Sequence, residues 1–227
     1  MNERTIIEAA IAEDEQKAKF GQGKEAGEQQ TIEWIMERLG FASGSRFKDV
    51  MDFQKTGKPG AKRTTYLWEL VSERLTGKPV EHFVNAAMEW GNAYEDEARM
   101  QYESQTGNMV MQQGFIHHPT VAMCGGSVDG TIDDDGIIEI KCPTTSTHLK
   151  TVLSGECEHL PQIMGYLWIT GRKWCDFVSY DPRLPEPLNL HIQRIDADDE
   201  YIANLDREVQ KFLAEVADIV TKLKEAA

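Results

Sequence analysis

The stretch Ser127-Val128-Asp129-Gly130-Thr131-Ile132-Asp133-Asp134-Asp135-Gly136-Ile137-Ile138-Glu139-Ile140-Lys141-Cys142-Pro143 decides the fold. Two apolar, β-branched runs flank an Asp-rich turn, which is the pattern of a hairpin. Side chains alternate across a strand, so Glu139 and Lys141 share one face while Ile138 and Ile140 take the other. A carboxylate and an ammonium in such a strand are costly to bury without a partner. Register decides whether Asp129 joins them. A two-residue Asp134-Asp135 turn would pair Asp129 with Ile140, on the wrong face. A three-residue loop of Asp134, Asp135 and Gly136, with the glycine left-handed, pairs Asp129 with Lys141 and gathers all three polar groups. Two carboxylates and a lysine on adjacent strands can hold a hard divalent cation and position a water, which suits phosphodiester hydrolysis. An isolated E-x-K is more often a plain surface pair, so a further carboxylate is needed.

Upstream of the hairpin the sequence reads helical. Residues 3–18 are amphipathic, Thr31–Leu39 repeats Ile32, Ile35, Met36 and Leu39 at helical spacing, and Ser43–Asp52 forms a second short helix. The segment from Phe53 to Thr65 reads as loop, and Tyr66–Leu75 as a helix ending at Gly77. A long helix from Asn85 to Gln105 packs through Trp90, Tyr94, Ala98 and Tyr102; Glu95 flanks that face and offers the missing carboxylate, although helical periodicity alone favours one more surface acid, while Asp96, Glu97 and Glu103 read as solvated. Met109–Ile116 and Val121–Cys124 read as strands. Beyond the hairpin come helices at Thr145–Leu153 and Gln162–Thr170, strands at Trp174–Tyr180 and Leu188–Ile195, and a final helix from Asp198 to Lys224. The prediction is one α/β domain over residues 1–227, a mixed sheet flanked by helices, with 1–28 as an N-terminal extension of open role.

Composition narrows the classes. At 227 residues, 41% hydrophobic and 27% charged, the chain is ordinary globular protein, and no apolar run approaches the ~20 residues of a membrane span. Its acidic start does not read as a signal peptide, and four scattered cysteines without a CxxC pair suggest a reducing cytoplasm. A net charge of −14 argues against coating nucleic acid nonspecifically. Yet Arg46, Lys48, Lys55, Lys58, Lys62 and Arg63 form a basic island opposed only by Asp49 and Asp52, and Lys55, Lys58, Lys62 and Arg63 are candidate DNA contacts. The Asp133–Asp135 run fails as a calcium loop, because Thr131 and Cys142 occupy the first and twelfth ligand positions. His148 and His159 read as core or surface residues.

The ordered set W-G-x-x-Y-E at Trp90–Glu95, S-x-D-G at Ser127–Gly130, E-I-K-C-P at Glu139–Pro143, a following helix with Gln162, and Y-D-P-R at Tyr180–Arg183 resembles the YqaJ-type viral recombinases. These are the lambda-exonuclease-like members of the PD-(D/E)xK nucleases. The likeness runs from about residue 30 to the C-terminus, with Val128 where the nuclease motif has Pro. It implies a restriction-endonuclease-like core and a 5′-to-3′ exonuclease that degrades one strand of duplex DNA to mononucleotides, leaving 3′ overhangs for strand annealing. It further implies two Mg²⁺ ions, with Mn²⁺ as a substitute. Asp129, Glu139 and the Ile140 carbonyl would hold one, and Glu95 with Asp129 the second. Lys141 would orient or deprotonate the attacking water, Gln162 would lie near the scissile phosphate, and Arg38, Ser45 and Ser127 would bind the 5′-phosphate. The partners implied are a 5′-phosphorylated duplex end, two further copies in a homotrimeric ring, and a phage annealing protein of the Beta/RecT type, in the cytoplasm of a bacterial host. The alternatives are another PD-(D/E)xK endonuclease, structure-specific or restriction-type, and a non-catalytic DNA-binding module. An intact Glu95, Asp129, Glu139 and Lys141 set speaks against the last.

Overall fold

The structure, a computed structural model, describes residues 32–80 and 86–226; the amphipathic stretch at 3–18 lies outside them. The described chain falls into two compact units, each interrupted in sequence by the other.

The first unit comprises the described part of Met1–Glu81 with Gly114–Ser127 and Asp199–Ala227. It contains α1 (Ile32–Arg38), β1 (Ala42–Ser43), a 3-10 turn at Gly44–Arg46, α2 (Phe47–Val50) and α3 (Ala61–Thr76). It is completed by β3 (Ile116–His117), β4 (Cys124–Gly126) and α7 (Asp199–Glu225). The second helix predicted at Ser43–Asp52 is thus shorter, preceded by a two-residue strand and a 3-10 turn, because Ala42 and Ser43 pair in parallel with Cys124 and Gly125. The strand predicted at Val121–Cys124 is displaced toward Gly126, and β3 pairs antiparallel with it.

Helix α3 begins at Ala61, well inside the predicted loop. Asp52 explains the early start: its backbone carbonyl accepts from Gly60 N–H at 2.7 Å and its carboxylate from Lys62 N–H at 2.9 Å. A capping partner ten residues upstream leaves no short-range signature in the sequence. Starting the helix there carries Arg63 inward, where it is 3% exposed and forms two 2.8 Å hydrogen bonds to the Glu215 carboxylate of α7. Its guanidinium lies between Phe53 and Phe212. The expectation of Arg63 as a DNA contact is therefore corrected: it ties α3 to α7. Arg46 is likewise engaged, with Asp49 and Glu69. What remains exposed of the basic island is Lys48, Lys55, Lys58 and Lys62. The apolar stripe of α7 buries Leu205, Val209, Phe212, Leu213 and Val216 as its periodicity predicts.

The second unit comprises His82–Gln113 and Val128–Asp198. It holds α4 (Ala86–Thr106), β2 (Val110–Met111), β5 (Gly130–Ile132), β6 (Gly136–Lys141), α5 (Thr145–Ser154), α6 (Leu160–Thr170), β7 (Trp174–Tyr180) and β8 (Leu190–Asp196). The strand predicted over Met109–Ile116 is thus two short pieces, β2 here and β3 in the first unit. The sheet order is β2-β5-β6-β7-β8, mixed because β6 pairs antiparallel with β5 and parallel with β7. One face carries Ile138 and Ile140, packed with Val178, Tyr180 and the Ala98 and Tyr102 of α4. Full burial of such a branched side chain contributes about 1.5–3 kcal/mol, so this layer dominates the unit's core. Trp90 and Tyr94 pack at its margin, as predicted. Glu97 is not solvated as expected: it accepts the Tyr180 hydroxyl at 2.6 Å. Glu103 also differs, accepting the Val110 N–H at 2.8 Å. No helix among the described residues is long and apolar enough to cross a membrane.

The hairpin register is shifted by two residues from the expectation. Ile132 pairs with Gly136, Thr131 with Ile137 and Gly130 with Ile138, so the three-residue loop is Asp133-Asp134-Asp135. The left-handed position belongs to Asp133, φ 45°, a conformation aspartate tolerates better than most residues. Gly136 belongs to the strand instead, where a Cβ would meet the Trp174 ring at 2.2 Å.

Candidate active site

The two-residue shift preserves parity, so Asp129, Glu139 and Lys141 still share a face. Continuing the ladder by one residue sets Asp129 opposite Glu139 rather than Lys141. Asp129 Oδ2 accepts the Ile140 N–H at 2.6 Å, which fixes its carboxylate against β6. Glu139 is fully buried. Its Oε1 pairs with Lys141 Nζ and accepts Gln162 Nε2 from α6 at 2.6 Å. Gln162 Nε2 also donates to the Tyr166 hydroxyl at 3.2 Å. Tyr166, four residues on and one helical turn away, was missed by sequence reasoning because it reads as one more apolar position of α6.

Glu139 Oε2 is buried and has no hydrogen-bond partner among the described residues. Burial and the neighbouring Asp129 charge push the Glu139 carboxyl well above the ordinary glutamate range. Burial also raises Asp129, with Lys141 and the Ile140 N–H pulling the other way. For Lys141, burial alone would lower the ammonium, but Glu139 and Asp129 hold it charged. Two desolvated carboxylates and an open buried oxygen form a site that gains from a cation.

Glu95 reaches this cluster differently. Helix α4 packs on the Ile138/Ile140 face of the sheet, whereas Glu139 meets α6 on the other. The Glu95 charge is nevertheless felt at both Glu139 and Lys141. Among the described residues no three His, Cys, Asp or Glu side chains form a group able to hold a metal alone. A magnesium ion does not require one: it takes one or two carboxylates and fills its octahedron with water and substrate phosphate. Asp129 and Glu139 fit that demand.

In the first unit, the Arg38 guanidinium lies over the Trp34 ring at 4.3 Å, and the Trp34 indole N–H donates to Ser127 Oγ at 2.7 Å. One indole thus joins two of the residues expected at a phosphate. With its oxygen accepting from Trp34, the Ser127 hydroxyl proton is left to donate elsewhere. Ser45 sits within the 3-10 turn, not at the start of a helix, and shares a 3.1 Å hydrogen bond with Ser43. Trp34 was not singled out from the sequence, where it reads as part of an amphipathic helix.

His148 is buried, bonded to Ser179 and the Leu188 carbonyl at 2.8 Å each, in line with a core role. His159 immediately precedes α6 and packs on Phe177, with ring centroids 5.8 Å apart.

Comparison with known proteins matches the YqaJ-like viral recombinase domain to residues 33–173. The chain is 43% identical to LHK-Exo in its crystal structure with dAMP, over 86% of this chain and 97% of that one, at a TM-score of 0.81. A second structure of LHK-Exo, an alkaline exonuclease from Laribacter hongkongensis, matches at 42% identity over the same shares and a TM-score of 0.80. A phage-related exonuclease from Haemophilus somnus, 16% identical over 81% of this chain and 96% of that one, shares the fold at a TM-score of 0.63. No curated protein matches. The chain belongs to the YqaJ-like viral recombinase domain family, and its mixed sheet with flanking helices is the PD-(D/E)xK nuclease core.

Proposed function

We propose that this protein is a Mg²⁺-dependent 5′-to-3′ exonuclease acting on double-stranded DNA. Its family and its likeness to an alkaline exonuclease support a DNA exonuclease. The observation that carries the metal-dependent part is the buried, unpartnered Glu139 Oε2 beside Asp129 and Lys141. Asp129, Glu139 and the Ile140 carbonyl would hold one Mg²⁺, and Asp129 with Glu95 would serve a second. When bound, Mg²⁺, or Mn²⁺ in its place, would supply an activated water and offset charge on the phosphate. Lys141, favoured as an ammonium by Glu139 and Asp129, would orient or deprotonate the attacking water. Gln162 steadies Glu139 through its Nε2 and lies near the scissile phosphate. Arg38 and Ser127, linked through Trp34, supply a charged and a hydroxyl donor for the terminal 5′-phosphate, with Ser45 as a third contact. Lys55, Lys58 and Lys62 track the duplex backbone. A homotrimeric ring and a phage-type annealing partner follow from the family resemblance alone.

The test is nucleotide release from linear 5′-phosphorylated duplex, with Mg²⁺ and with EDTA, against a covalently closed circle. Mononucleotides from the linear duplex only, and only with Mg²⁺, are expected. Cleavage of the closed circle would replace the exonuclease with an endonuclease.

A further inference from the structure

Tyr180-Asp181-Pro182-Arg183, at the end of β7, knots together three elements of the second unit. Arg183 Nε and Nη2 donate to the two oxygens of the buried Asp181 at 2.7 and 3.0 Å. Thr145, at the start of α5, joins Arg183 in holding the Asp181 carboxyl below its usual range. Arg183 Nη2 reaches the Pro143 carbonyl at 3.3 Å, two residues beyond Lys141. Its guanidinium lies over the Trp90 ring of α4 at 4.3 Å. Tyr180 grips the same helix again through Glu97, at 2.6 Å.

Trp90 and Glu97 lie on either side of Glu95 along α4. Two grips that bracket a position fix both the rotation and the axial placement of a helix there. The same knot holds the chain immediately after the strand of Glu139 and Lys141. We infer that Arg183 is a positioning residue that sets Glu95 against the Glu139–Lys141 strand, an inference that rests on the nuclease reading above. An exposed ion pair would contribute little, and the Arg183 side chain is 46% exposed. Its fork is nonetheless committed to a buried carboxylate, a carbonyl and an aromatic face at once. Lysine, a point charge, cannot hold all three.

The test measures Mn²⁺ affinity by calorimetry without DNA, and turnover on 5′-phosphorylated duplex across a Mg²⁺ series. The proteins are wild type, Arg183→Lys, Arg183→Ala, Glu95→Gln and the Arg183→Ala/Glu95→Gln double variant. Outer residues that orient metal ligands typically change affinity about 10- to 100-fold, and a loss at the lower end is expected for Arg183→Ala. Arg183→Lys should move the same way, and reads the effect even if the alanine variant fails to fold. The double variant should match Glu95→Gln within about twofold, because both changes remove one contribution. Unchanged Mn²⁺ affinity in Arg183→Lys, or fully additive losses in the double variant, would overturn the inference. A wild type that binds Mn²⁺ but never cleaves DNA would overturn the nuclease reading instead, while the calorimetry still reports on Arg183.

Discussion

Lys141 owes its protonation to its neighbours. Glu139 and Asp129 hold the ammonium against a burial that would otherwise discharge it, so in the proposed hydrolysis Lys141 would act as a positive donor. Lys141→Ala should therefore lower turnover by about 10²- to 10⁴-fold while duplex retention in Ca²⁺ stays within about threefold of wild type. Near-normal turnover in a single-turnover assay would remove Lys141 from the chemistry. At the other candidate subsite, Arg38 lays its guanidinium over Trp34, beside Ser127. Arg38→Ala should slow digestion of 5′-phosphorylated ends about ten- to a hundred-fold, the worth of a charged bidentate contact, and spare 5′-hydroxyl ends. Equal slowing on both substrates, in parallel time courses, would move the phosphate pocket elsewhere.

At the level of elements, the knot after β7 carries a pH signature. Burial would raise the Asp181 carboxyl, but hydrogen bonds from Arg183 and Thr145 outweigh it and hold it down at about 2. A depressed folded value means stabilisation that is complete above the ordinary aspartate value of 3.8 and fades as pH falls toward 2. Asp181→Asn should thus lower Tm near neutrality, by an amount that shrinks between about pH 4 and pH 2 in melts of the two proteins. The loop before α3 makes a different prediction. Replacing Lys55, Lys58 and Lys62 with alanine should weaken duplex binding and flatten its salt dependence, because each phosphate left unneutralised lowers the slope by about 0.9. Arg63→Ala should leave that slope alone and instead lower thermal stability. Elements with one dominant periodicity were legible from the sequence: β7 was read residue for residue, and α7 to within one residue at each end. The shared face of Asp129, Glu139 and Lys141 was legible too, because it depends only on parity. The register was not, since Asp133 takes the left-handed position that glycine was expected to fill. Arg63 and Glu97 were misread for a common reason. Each is engaged by a partner far away in sequence, Glu215 and Tyr180, and charge next to a glycine-rich loop or on a helix face looks solvated until that partner is placed.

For the molecule as a whole, both units are built from segments that alternate along the chain, and the first is closed by α7. Arg63 meets Glu215, 152 positions further along the chain, and Tyr66 stacks on Phe212 with ring centroids 5.4 Å apart. Contacts of such separation are slow to form, because the intervening loop must close before they contribute. During synthesis, α3 leaves the ribosome with Arg63 and the Tyr66 ring lacking Glu215 and Phe212 until α7 emerges. At roughly 5–20 residues per second, that exposure lasts on the order of ten seconds. Nascent chains stalled before Leu205 should therefore be cut by protease within α3 and captured by chaperones, whereas released full-length chains should resist both. The order of translation thus leaves the first unit to finish last, and its vulnerability during birth is a direct cost of the Arg63–Glu215 clasp that later secures it.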